Sequence, residues 1–516
     1  MPLPPPDPLV LYGRVVTFDE ANPLIEDGAL YIGADQRVHA AQPRRATPPA
    51  GFEQARRIRT RGSIYPGLMD LHNHMVYNTL PLWHGRDRDT AYTTRYQWPD
   101  DSSYKPLIGN PANALGALAG KAHLKYVETK AVIGGVTAIQ GSAKTGRPYE
   151  GWLVRNVEYE TFTTGKKTVF QSALPLRGEP DFAARRRQMD GGGAFIYHLS
   201  EGTDSDLVEE YTELRQERLV KPGLCGIHCT ALTEPDYDDW MQVVDTARAG
   251  AAGAVIWSPF SNLWLYNGTT DVVKARDAGM TVCLGADWAP SGCKNLLGEL
   301  KVADIWNRTE LGGAFSDEEL CAMTTRNPAD ALGWSARLGR LRPGLHGDVV
   351  VLSDREDDPY RNLIGAREVD VQFVAINGYP FYGTTAMMAA AGAVEDEPIR
   401  FGRLRRRIRL RYTGIEDADM GWADVLADLD EAKTDPLGRY FKVEHAHGNP
   451  DPEKRPVWLQ TDKPWDDPET TKKEIDIFVR IPPLDALAHD TGFFRAIAKH
   501  SVHGGRLDGL ADYYRS

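Results

Sequence analysis

The chain has 516 residues, 42% hydrophobic and 26% charged, with a formal net charge of −12. This composition supports a buried core and excludes a disordered chain, and the acidic balance excludes nucleic acid or an anionic membrane as the main partner. The length exceeds one ordinary domain and suits a large catalytic unit with additions.

The start, "MPLPPPDPLVLYG", has neither a basic n-region nor an apolar h-region, so no signal peptide is expected. No run of about 18 apolar residues marks a membrane span. Five cysteines (Cys225, Cys229, Cys283, Cys293, Cys321) form an odd, scattered set, which fits a reducing, cytoplasmic setting. Cys225 and Cys229 read as small apolar strand residues, not as a metal pair.

Residues 8–63 read as short strands separated by turns: "LVLYGRVVTF", "GALYIGAD" and "ARRIRTRGSIY". Residues 338–388 are similar, so 1–63 and 338–388 are expected to build one small β domain around an inserted unit. That unit, 64–337, alternates apolar strands with helix-like stretches. Seven strands are recognisable: "GLMDLH", "GVTAIQGS", "TVFQSAL", "AFIYHLS", "LCGIHCT", "AVIWSP" and "TVCLGAD". Repeated βα units with apolar strands imply a parallel sheet covered on both faces and, at sufficient number, a closed (β/α)8 barrel. An eighth strand is expected between residues 142 and 194. The run "GNPANALGALAGKAHLKYVETKAVIGG" has helical periodicity. In "TRNPADALG", Asn327 is expected to cap a helix with Pro328 at its first position.

Residues 389–398 read as a linker, and 389–516 as a C-terminal α+β appendage of unknown role. "RFGRLRRRIRLRY" reads as a strand with a charged outer face, Leu404, Ile408, Leu410 and Tyr412 sharing the other face. "GWADVLADLDEA" reads as an amphipathic helix. His445 and His447, in a polar stretch ending "HGNP", read as surface-loop residues.

The chemistry gathers at strand ends. His72 and His74 close an apolar strand, and side chains at i and i+2 of a strand point the same way. His198 ends another strand, with Glu201 three residues later, where a carboxylate is placed to move protons. A third imidazole completes the usual protein minimum for a catalytic zinc with an open position for water. His228 and Asp287 end two further strands. Each alone is ordinary: a core histidine, a loop glutamate, a helix-capping aspartate. Together they deliver His, His, His-x-x-Glu, His and Asp to the carboxyl ends of strands, which converge at one mouth in a barrel.

With those residues in place, "PGLMDLHNH", "GGVTAIQGS", "HLSEG", "GIHCT", "SPFSNLWL", "LGADWAPSG" and "NPADALG" followed by "GRLRPGLHGDVVVLS" resemble, as an ordered set over about residues 8–388, the amidohydrolase superfamily. The resemblance is to the branch with cytosine deaminase, the triazine hydrolases and imidazolonepropionase. It implies an α/β fold, a (β/α)8 TIM barrel (64–337) with a flanking β-sandwich. It also implies that His72, His74, His198 and Asp287 hold one divalent metal, Zn2+ with Fe2+ or Mn2+ as alternatives, while Glu201, His228 and Asp287 are catalytic. No lysine lies in the apolar part of "TVFQSALPLR", and Lys166 and Lys167 precede it, which favours one metal over a carbamate-bridged pair. A small-molecule substrate and a homo-oligomer follow from the same likeness.

The implied reaction is hydrolysis of a non-peptide C–N bond of a small planar or heterocyclic molecule by metal-activated water. Asp287 would take the water's proton, His228 would stabilise developing charge, and Glu201 would protonate the leaving nitrogen. Aromatic-rich loops at 77–104 and 258–268 suggest a ring-stacking pocket, with Tyr77, Asn78, Trp83, Trp98, Asn262, Trp264 and Trp288 as candidate substrate contacts. A deaminase, an amide hydrolase that releases no ammonia, and a catalytically inactive scaffold remain the competing readings.

Overall fold

Alternating apolar residues open the chain, and they pair at once. In the computed structural model, β1 (Leu9–Val16) lies antiparallel to β2 (Leu24–Ile32), β2 pairs with β3 (Val38–Pro43), and β1 runs parallel to β4 (Arg56–Pro66). The structure describes residues 5–85, 90–141, 152–246, 253–411, 419–436, 438–439 and 484–515. His445 and His447 lie outside the described residues.

Eight short strands follow: β5 (Leu68–Asp70), β6 (Val136–Ile139), β7 (Arg155–Asn156), β8 (Val169–Ser172), β9 (Ala194–Leu199), β10 (Leu224–His228), β11 (Ala254–Trp257) and β12 (Thr281–Leu284). All their pairings are parallel, in one run of three (β5–β7) and one of five (β8–β12). A parallel bridge between Asn73 and Asp287, with Asp287 N donating to His72 O at 2.8 Å, ties the end of the first strand to the end of the last. The strand missed in the sequence is β7, inside the expected interval.

The two faces of these strands bury against different partners. In β9, Ala194 and Ile196 join a core with Met69, Ala138, Ile227, Ile256 and Cys283 from neighbouring strands, while Phe195 and Tyr197 pack with Trp240 and Tyr211 from the helices. His198 continues the Ala194–Ile196 face, as a two-residue repeat requires. The result is an α/β fold built on parallel strands.

The chain then returns to its first sheet through β13 (Val349–Ser353), β14 (Val371–Ile376), β15 (Tyr379–Gly383), β16 (Glu397–Phe401) and β17 (Leu404–Ile408). The nine strands run in the order β16-β17-β15-β14-β13-β4-β1-β2-β3. The sheet therefore continues past residue 388, where the sequence suggested a linker. The arginine-rich stretch is a hairpin, not one strand, because Gly402 turns the chain at φ +57°. Several of its arginines are already engaged: Arg407 with Asp396, Arg411 with Asp419, and Arg406 with the carbonyls of Val369 and Val371.

Two helix readings need correction. The periodic run before β6 is two helices, Asn110–Leu118 and Gly120–Ile133, broken at Ala119. Asn327 is not a cap: the helix spans Arg326–Ala331, and the Asn327 amide donates to Val282 O of β12 at 2.8 Å. All five cysteines are free and buried. Among the described residues no helix is long and apolar enough to cross a membrane.

Candidate active site

The strand-end residues meet. His72 Nε2 lies 3.3 Å from His74 Nε2 and 3.1 Å from His198 Nε2, and the latter two are 3.2 Å apart. Asp287 Oδ1 is 3.2 Å from His72 Nε2 and 3.6 Å from His74 Nε2. His72 is fully buried, and His198 and Asp287 nearly so.

Tautomers follow from the surrounding bonds. Ser258 Oγ donates to Gly285 O, so it accepts from His72 Nδ1 at 2.7 Å. The Nε2 lone pair of His72 therefore faces the other two imidazoles. Burial, reinforced by the neighbouring histidines, drives the pKa of His72 well below the ordinary imidazole value, and burial with His74 does the same for His198. Burial raises the Asp287 carboxyl, and His228 and His74 oppose that rise. Neutral imidazoles packed nitrogen to nitrogen cannot all satisfy one another by hydrogen bonds.

They do suit a cation. Ligands at about 2.0–2.1 Å around a tetrahedral ion sit roughly 3.4 Å apart, close to the spacings seen. Among the described residues, His72, His198 and His228, and likewise His72, His74 and Asp287, bring donor atoms within 4.8 Å of one another, and imidazole nitrogens with a carboxylate are donors that suit a divalent metal ion.

The backbone is shaped for this convergence. Within β10, Cys225 and Ile227 face the core shared by the parallel strands, so the next residue in register would point away. His228 instead takes φ +65°, and Asp287 takes φ +59°, left-handed conformations rare outside glycine. Gly285 is required by proximity: a Cβ there would lie 2.3 Å from the Cβ of His72.

His228 and Glu201 stand beside the donor cluster. His228 Nε2 is 3.6 Å from Glu201 Oε1 and 3.9 Å from Asp287 Oδ2. Asn262 donates its amide N–H groups to Thr269 and Thr270, so its oxygen accepts from His228 Nδ1 at 2.7 Å. A cavity of about 370 Å³ opens here, lined by His74, His198, Glu201, His228 and Asp287 on one side. Tyr77, Trp98, Tyr104, Trp288 and Leu174 form its apolar side, with Trp98 and Trp288 rings 5.1 Å apart.

Of the seven candidate substrate contacts, Tyr77, Trp98 and Trp288 line this cavity; the other four do not. Asn78 is spent on structure, donating to Asn73 Oδ1 and accepting from Ala289 N. Trp83 donates to Ser103 Oγ, and the buried Trp264 donates to Trp83 O. Asn262 serves His228. Sequence reading overlooked Arg95 and Tyr104. Arg95 donates to His198 O at 3.1 Å and pairs with Glu210 at 3.1 Å, drawing the 90s loop across β9. Nothing in its local sequence marks it. Tyr104 sits within the aromatic-rich stretch, which was a signal for the segment but not for the residue.

Residues 188–380 match the amidohydrolase family model. The chain is 29% identical over 415 residues to a 5-methylthioadenosine/S-adenosylhomocysteine deaminase of Desulforamulus reducens, covering 72% of this chain and 92% of that protein. It is 30% identical over 164 residues to the protein of the same name from Teredinibacter turnerae, covering 30% of this chain but only 36% of that relative. A zinc-bound adenosine deaminase from Xanthomonas campestris shares the fold, with a TM-score of 0.57, 18% identity, and coverage of 76% of this chain and 98% of that one. The chain thus resembles the amidohydrolase superfamily, through the model matched by residues 188–380 and through the length it shares with the Desulforamulus reducens deaminase.

Proposed function

We propose that this protein is a metal-dependent hydrolase that releases ammonia from a ring carbon of a small planar heterocycle, with zinc as the single ion held by His72, His74, His198 and Asp287. The observation that carries the reading is the packing of three imidazole Nε2 atoms within 3.3 Å of one another beside Asp287, at the edge of an aromatic-walled cavity. The deaminase names of the relatives support the leaving group. The eight parallel strands, tied first to last, are read as a closed (β/α)8 barrel, and the nine-stranded sheet as its flanking β domain.

When bound, a divalent ion supplies a water whose pKa falls from about 16 toward about 7. Asp287 orients that water and takes its proton. His228, its Nδ1 fixed by Asn262, presents Nε2 to the charge that builds as water adds to the ring carbon. Glu201 delivers a proton to the exocyclic nitrogen, the C–N bond breaks, and ammonia leaves. The aromatic side of the cavity stacks on the ring. Arg95, the cation lining the cavity, is committed to His198 O and Glu210, which argues for an uncharged ring over a phosphorylated one.

The test is metal analysis with an ammonia-release assay over a panel of aminated heterocycles. One zinc per chain is expected. Chelation should abolish ammonia release and added zinc should restore it, while Glu201→Gln should keep the metal and lose most turnover. Turnover that survives complete removal of divalent ions overturns the reading. Hydrolysis without ammonia reassigns the protein to cyclic or exocyclic amides. Metal-free, inactive protein reassigns it to a scaffold.

A further inference from the structure

The helix Pro259–Tyr266 follows β11 and is buried along its whole length. Asn262 and Tyr266 are four residues apart on it and so share one face. Asn262 holds His228. Tyr266 reaches the other proton-handling group: its hydroxyl donates to Glu201 Oε1 at 2.6 Å. One helical face thus orients both side chains that flank the donor cluster.

The Tyr266 hydroxyl has little choice of direction. Trp98 donates its indole N–H to the same oxygen at 3.1 Å, filling an acceptor position and leaving the phenolic proton aimed at Glu201. Tyr266 is 2% exposed and Glu201 5%, so water does not compete for the bond. Burial, and then the Glu201 carboxylate, raise the phenol's pKa well above its ordinary value, so the proton stays on Tyr266. Trp98 also lines the cavity, stacked obliquely with Trp288 and edge-on to Tyr104.

We propose that Tyr266 is a positioning residue that aims Glu201 at the leaving nitrogen, and that Trp98 fixes Tyr266 through its indole N–H while its ring walls the cavity. This rests on the hydrolase reading above. A free glutamate at a strand end samples several rotamers; one held by a buried phenol keeps its carboxylate within reach of the substrate. A substrate ring lying on Trp98 would then meet a carboxylate registered to that same indole.

The experiment compares kcat and KM for Tyr266→Phe, Trp98→Phe and Trp98→Ala, with zinc content and thermal midpoint measured for each. Tyr266→Phe keeps the ring and removes one hydroxyl. It should lower kcat by about 10- to 100-fold, the scale expected for a misaligned proton-transfer group, with KM nearly unchanged. Trp98→Phe, which keeps an aromatic wall but loses the N–H, should lower kcat with little change in KM, whereas Trp98→Ala should raise KM as well. In the Glu201→Gln background Tyr266→Phe should cost little more, because residues acting through one group are not additive. A Tyr266→Phe enzyme with wild-type kcat, or one whose loss persists in full in Glu201→Gln, overturns the proposal. If Tyr266→Phe does not fold, the Trp98→Phe split decides alone. A wild type that hydrolyses its substrate without ammonia overturns the deaminase reading, while the kcat comparison still tests Tyr266 on that reaction.

Discussion

At the scale of single residues, position matters as much as identity. His228 and Asp287 are held at positive φ, at a cost of about 1–2 kcal/mol each, to turn side chains that strand geometry would send elsewhere. Gly285 makes room for the His72 backbone and Cβ. Gly285→Ala should therefore shift the ligand-bearing ends of β5 and β12 apart. A loss of about 1–3 kcal/mol is expected from overpacking a buried contact, together with substoichiometric zinc. Differential scanning calorimetry and metal analysis would check it, and full zinc occupancy at wild-type stability would remove the steric role. The histidines and Asp287 of this site were legible because each closes an apolar strand, and Glu201 because it follows His198 by three residues. The left-handed turns that aim two of them were not, since neither Cys-Thr after His228 nor Trp after Asp287 signals positive φ. Asn262 was misread for a related reason: a polar residue in an aromatic loop looks like a substrate contact until its histidine partner is seen.

Elements were legible in proportion to their apolar repeat. Seven of the parallel strands announce themselves by runs such as "AFIYHLS". β7 does not, because it contributes only Arg155 and Asn156, and buried Arg155 is accommodated by Asp348 at 3.0 Å and by Glu160, with its guanidinium over the Phe162 ring. The helix Gly120–Ile133 presents the same problem at larger size. It is buried on nearly all sides and encloses His123, Lys125, Glu128 and Lys130, so no amphipathic stripe sets its orientation. That burial has a consequence for acid stability. Among the described residues His123 Nε2 meets only Thr79 Oγ1, at 3.3 Å, and desolvation lowers its pKa from 6.5 to about 4. Between those values the unfolded chain binds a proton that the folded chain refuses, so stability falls as pH drops from 6.5 toward 4. The contribution is of order 3 kcal/mol. Replacing His123 with Asn, which can still meet Thr79, should flatten urea-unfolding free energy against pH across that window. An unchanged slope would assign the acid sensitivity to other groups.

For the whole molecule, the stretch beyond residue 388 is where sequence reading saw least, because its contacts are made to distant segments one at a time. β16 and β17 extend the first sheet, Trp422 stacks on Tyr126 with ring centroids 5.7 Å apart, and Lys125 Nζ donates to the carbonyls of Leu410 and Met420. The strongest tie is Asp485. Its carboxylate accepts from Lys130 at 2.6 Å and Lys294 at 2.7 Å, its N–H donates to Thr79 O at 2.8 Å, and its carbonyl accepts from the Tyr126 hydroxyl. Lys130 also donates to Asn78 O. One carboxylate thus clamps the loop that follows His74 to the loop that follows Asp287. Both lysine side chains are 1% exposed and share Asp485 as their buried carboxylate, with the more exposed Asp490 a further 3.8 Å partner of Lys294. Asp485→Ala leaves both without that buried carboxylate and should cost about 3–5 kcal/mol, the penalty for stranding buried charge. Lys130→Met leaves a one-to-one pair between Asp485 and Lys294 and should cost distinctly less. That order is the informative part, because ordinary surface ion pairs would give small and similar losses for both variants. Chemical denaturation of the two purified variants measures it directly. If Lys130→Met proves the more damaging, the hydrogen bond to Asn78 O, and not the shared charge, holds the two loops together.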